Sequence, residues 1–154
     1  MIGILAAIRP SSWNFVLFIH IAGAMVLVAL SIVAIFAVRN AVKAGAQPAT
    51  RFAYRVLLWG VLPAWFVMRV GAQLIANKEN YNPEPGWFGY GYSISEGGLL
   101  FLIITIVLVG LAARKTKQGI SVTASGGLRT AAVITWLLVV ADVVAIWAMT
   151  TKPG

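Results

Sequence analysis

The chain has 154 residues, 60% of them hydrophobic and only 10% charged, which is too apolar for a soluble domain, where charged residues approach about a quarter. Its net charge of +8 comes from basic residues gathered almost entirely in two short connections between apolar runs, a pattern of membrane orientation that discounts nucleic-acid binding. Cysteine is absent, so disulfides, thiolate metal sites, iron–sulfur ligation and thiol redox chemistry are excluded, and His20 is the single imidazole.

The opening MIGILAAIRPSSW has no basic stretch ahead of its apolar residues and no cleavage signal after them, so it reads as mature sequence. Arg9-Pro10 breaks the apolar run, and the hydroxyls of Ser11-Ser12 can cap the helix that follows. Four segments, 13–38, 56–76, 93–113 and 130–150, are long enough to cross hydrocarbon about 30 Å thick, which takes about 20 apolar residues. The first connection carries Arg39, Lys43, Arg51 and Arg55, and the third carries Arg114, Lys115, Lys117 and Arg129, with no acid in either. These eight cations predict that both connections face the cytoplasm. The second connection sets Lys78 against Glu79 and Glu84, and the tails add only Arg9 and Lys152. The chain is therefore expected to be a single transmembrane domain over 1–154, an all-α, up-and-down four-helix bundle with both termini outside.

Aromatic residues fall where interfaces would place them, with Trp13, Trp87, Tyr90, Tyr92 and Trp147 on the outer side and Phe52, Tyr54, Trp59 and Trp136 on the inner. The outer connection, 77–92, mixes Pro83, Pro85 and three glycines with Tyr81, Trp87, Phe88, Tyr90 and Tyr92. It is expected to form an ordered aromatic loop over the bundle end, serving as an interfacial cap or as a docking surface. Pro63 removes a helix hydrogen bond within VLPAWF and predicts a kink.

Each span holds one ionisable residue that lipid would penalise: His20, Arg69, Glu96 and Asp142. Counted from the outer helix ends, all four fall within roughly 5–12 Å of the same surface. Two acids, an arginine and a histidine at one depth predict an inward-facing polar cluster. Gln73 shares a face of its helix with Arg69, and Asp142 lies above Thr135 on the fourth helix. On the first helix His20, Ala24, Leu27, Ser31 and Ala34 share a face. Arg69 is the expected centre, because a planar guanidinium can donate to two carboxylates at once, and His20 would be the titrating member. The plainer alternative is an ion-pair layer that only specifies helix register.

No P-loop, dinucleotide fingerprint, nucleophile elbow or metal-hydrolase motif is present, so no catalytic residue, enzyme activity or metal site is expected. No cofactor is predicted, with a five-coordinate haem or pigment on His20, or a quinone near it, left as an alternative. Phe18-Ile19-His20-Ile21-Ala22-Gly23, Arg69 and the closing run from Asp142 to Trp147-Ala148-Met149-Thr150-Thr151-Lys152-Pro153 resemble small four-helix bacterial integral membrane proteins of unknown function. More distantly, a helix-one histidine followed by glycine resembles copper-resistance membrane domains, whose additional histidines this chain lacks. The resemblance implies a multi-pass protein of the bacterial cytoplasmic membrane and supplies no activity. The expected role is a non-catalytic accessory or structural subunit, in contact with membrane lipids, that docks a larger membrane complex or copies of itself. The rival is a small-anion or proton-coupled carrier or sensor built on the polar layer.

Overall fold

The computed structural model of this chain describes residues 14–78, 87–123 and 125–151, and every described element is helical. α1 runs Asn14–Ala44, α2 Gln47–Arg55, a π-helical segment Val56–Val61, α3 Leu62–Lys78, α4 Trp87–Lys117 and α5 Gly126–Thr151. α2, the π segment and α3 form one rod, so four helices are long and apolar enough to cross a membrane.

The helices outrun the apolar segments from which they were expected. α1 continues six residues beyond Val38 because Arg39 and Lys43 are good helix formers, and Lys43 complements the negative end of the helix in its last turn. The second helix begins at Gln47, with Pro48 in its first turn, where the missing N–H costs nothing. α4 starts at Trp87, so the outer connection is shorter than 77–92 and its aromatic half is the first turn and a half of a helix. Tyr81 lies outside the described residues, as do the side chains of Trp87, Phe88 and Tyr90. Pro63 is accommodated by the π segment just before it. The Leu62 N–H reaches back five residues to the Leu57 carbonyl, which widens the turn just before the proline ring.

Two close turns define the basic end. Gly45 stops α1 at φ 57, donates to the Ala41 carbonyl at 2.9 Å and leads into α2. Its carbonyl accepts from the Val122 N–H at 3.4 Å, so the first and third connections touch. Ser125 Oγ accepts from the Leu128 N–H at 3.4 Å and caps α5.

α1 is the central helix. Leu27, Ser31, Ala34 and Val38 are buried along one face, and α1 packs on both α3 and α5. It meets α3 through reciprocal small residues: a Cβ on Gly23 would lie 2.8 Å from Met68 N, and one on Gly71 would lie 2.8 Å from His20 Cα. These pairs, with Gly60 against Leu30, run in opposite senses along the two helices. α4 packs on α5 along its length and on α2 at the basic end, where Thr50 Oγ1 and Thr116 Oγ1 are 2.9 Å apart and buried. The most deeply buried side chains, Leu57, Leu128, Val38, Val109, Thr50, Thr105 and Thr135, all belong to the half nearer the basic end or to the middle. At the opposite end α3 and α4 barely pack among the described residues.

Candidate functional site

Long polar side chains link α3 and α4 at this end. Trp65, Arg69, Gln73 and Asn77 recur every fourth residue of α3, so they form one stripe. Its first two members, Trp65 and Arg69, reach α4. Arg69 Nε donates to Glu96 Oε1 at 2.8 Å, and the Arg69 guanidinium carbon sits 4.3 Å from the ring centroid of Tyr92, one turn before Glu96 on α4. Arg69 Nη1 donates to Gln73 Oε1 at 3.1 Å, and Gln73 Nε2 donates to Asn77 Oδ1 at 3.1 Å. Below Arg69, Trp65 Nε1 donates to the Ser95 carbonyl at 3.2 Å. The result is a ladder that rises from Glu96 through Arg69 and Gln73 to Asn77, about 12 Å along α3.

The ladder is partly uncovered. The Arg69 side chain is 16% exposed and that of Glu96 is 46% exposed, while Gln73 and Asn77 are exposed as well. Next to Glu96, Ser95 Oγ is buried without a hydrogen-bond partner among the described residues.

Of the five residues expected to cluster, Arg69, Gln73 and Glu96 are joined. His20 and Asp142 are bonded to none of them among the described residues. His20 Nδ1 lies 3.1 Å from the Met68 carbonyl, so the imidazole is bonded to the α3 backbone and not to the Arg69 side chain. With Nδ1–H donating to that carbonyl, a neutral ring carries its lone pair on Nε2. Asp142 is half-buried on α5, and its carboxylate makes no hydrogen bond or ion pair with the described residues. Arg69 thus takes one carboxylate and one amide in place of two carboxylates. The cause is rotational: Met68 and Gly71 lie against α1, whereas Trp65 and Arg69 reach α4.

Sequence reasoning missed Trp65, Asn77 and Ser95, and put Tyr92 in a loop when it is a helical residue stacked on Arg69. The four-residue spacing from Trp65 to Asn77 was the available signal. No group of three His, Asp or Glu side chains among the described residues is placed to hold a metal ion. Comparison with known protein families, curated proteins and solved structures finds no match to this chain. The residues themselves therefore carry the functional reading.

Proposed function

We propose that this chain is a non-catalytic accessory or structural subunit of the bacterial cytoplasmic membrane that docks a partner helix, from a larger membrane complex or from a second copy, against the side between α3 and α4. Its four helices cross up and down, with the basic connections in the cytoplasm and both termini outside. The observation that carries this reading is the uncovered ladder. A carboxylate as exposed as Glu96, even paired with Arg69, is penalised where it meets hydrocarbon, and a partner that brings its own polar groups removes that cost. The large apolar side chains around it, Phe66, Val70 and Leu100 among them, are 51–59% exposed and suit either lipid or a helix.

Native mass spectrometry on gently extracted protein tests the proposal. A stoichiometric added protein mass that disappears in Arg69→Gln/Glu96→Gln, with the helices retained, supports docking at this side. A bare monomer under all mild extractions overturns it.

The second reading is a small-anion or proton carrier or sensor, favoured by one observation: the hydrogen-bonded ladder is continuous from Glu96 to the helix end. In that reading Arg69 would hold the anion and Glu96 the proton. Uptake or pH response in proteoliposomes that vanishes in a folded Arg69→Gln variant would support it, and their absence in the intact protein would remove it.

A further inference from the structure

At the other end of the molecule, α2 and α4 leave a groove of about 510 Å³ on the flank of the bundle. Its rim carries Gln47 and Arg51 from α2 and Arg114 and Lys117 from α4. Its apolar wall includes Val107 and Leu111, which are 53% and 48% exposed. The back of the groove is fixed. Tyr54 lies against Gly110, where an added Cβ would come within 3.0 Å of Tyr54 Cε2, and the Thr50–Thr116 hydroxyl contact pins the two helices behind it.

The order of side chains along α4 matches the order of groups in a phospholipid. Val107, Leu111, Arg114 and Lys117 recur every three or four residues on one face, so the wall passes from apolar to basic over about 15 Å. The charge is one-sided. The chain has four carboxylate side chains, Glu79, Glu84, Glu96 and Asp142, and none lies in α2 or in the basic half of α4, so the rim has no acidic side chain as counter-ion. Three cations over an apolar wall, at the level where a membrane-spanning helix meets head groups, complement an anion that carries a hydrocarbon tail.

We propose that this groove seats one anionic phospholipid, its phosphate held among Arg51, Arg114 and Lys117 and one acyl chain laid along Val107 and Leu111. Arg51 and Arg114 supply paired N–H donors, and Lys117 supplies a point charge at the mouth. The groove is separate from the Arg69 ladder, and the assignment stands whether or not a partner docks there.

Delipidated protein in neutral detergent, offered equal amounts of phosphatidylglycerol and phosphatidylcholine, tests it by native mass spectrometry. One phosphatidylglycerol should be retained with a preference of about tenfold. Arg51→Gln/Arg114→Gln should abolish that preference, and Lys117→Gln, in the last turn of α4 and exposed, should lower it about threefold without disturbing the fold. Arg39→Gln/Arg129→Gln, which removes the same charge away from the groove, should leave it unchanged. Equal retention of the two lipids, or an equal loss in the Arg39/Arg129 control, overturns the site. Full displacement of the lipid by millimolar inorganic phosphate overturns the acyl contact and leaves a free-anion site.

Discussion

Replacing Gly71 by alanine puts a methyl group where α1 and α3 have no room for one. The new Cβ would stand 2.8 Å from His20 Cα and 2.9 Å from His20 N and Cβ, against ordinary contact beginning at 3.4 Å, so the helices must part by about 0.6 Å. The obstacle is largely backbone and cannot rotate away. Overpacking of this kind costs about 1–3 kcal/mol, which the better helix propensity of alanine offsets by less than about 1 kcal/mol. The expected net effect is a fall of about 3- to 30-fold in the folded-to-unfolded ratio, read by unfolding in mixed micelles with SDS while far-UV circular dichroism follows the helices. Gly97→Ala in α4 is the control with the opposite sign. Among the described residues nothing lies within 4 Å of its added Cβ, so propensity alone should stabilise the protein by about 0.5–1 kcal/mol. Gly23→Ala, aimed at Met68 N and Cα, should resemble Gly71→Ala. The double variant should cost less than the two singles together, because one separation of α1 from α3 relieves both contacts. A neutral or stabilised Gly71→Ala, or a Gly97→Ala as damaging, would refute the close approach of the two helices.

Three further outcomes follow from the packing. Arg69→Gln and Glu96→Gln should each destabilise the protein by leaving a charge unmatched, and the double variant should recover part of the loss; a coupling of about 1 kcal/mol is expected for a pair this exposed, from a double-mutant cycle. Thr50→Val should cost about 0.6 kcal/mol, since it removes the hydroxyl contact between α2 and α4 while Thr116 keeps the Ala113 carbonyl at 3.0 Å; Thr116→Val added to it should change thermal stability little. Gly45→Ala combines a φ of 57 with a collision between the new Cβ and Thr123 Oγ1, and should cost about 2 kcal/mol and expose the basic connections to protease, whereas Gly119→Ala, with φ 79 and open space, should cost about half as much.

Hydropathy made the spans readable, because four runs of about 20 apolar residues have few alternatives. The ends of the helices were less readable. Arg39, Lys43 and the residues from Gln47 to Arg55 are polar, yet they continue helices, because helix propensity does not fall where hydropathy does. The site was legible in part for a similar reason. An arginine and a glutamate at one depth of apolar spans must find partners, and Arg69 and Glu96 found each other, with Gln73 bonded to Arg69 one turn along α3. Depth, however, says nothing about rotation. Whether Arg69 meets Asp142 or Glu96 depends on the angle at which each helix presents its face, and that angle is set by contacts such as Gly71 on His20 and Gly98 near Leu138, which no local pattern specifies. His20 was lost to the cluster on the same ground: it took a backbone carbonyl, an acceptor that a list of side chains does not contain.

The uneven core has a mechanical consequence. α1 has 31 residues and is about 46 Å long, half as long again as hydrocarbon about 30 Å thick, so tilt or overhang must absorb the excess. At one end the Gly45–Val122 and Thr50–Thr116 contacts hold the connections together, whereas at the other the described residues of α3 and α4 meet mainly through the side chains of Trp65, Arg69 and Glu96, so that is where these two helices separate with the least loss of packed surface.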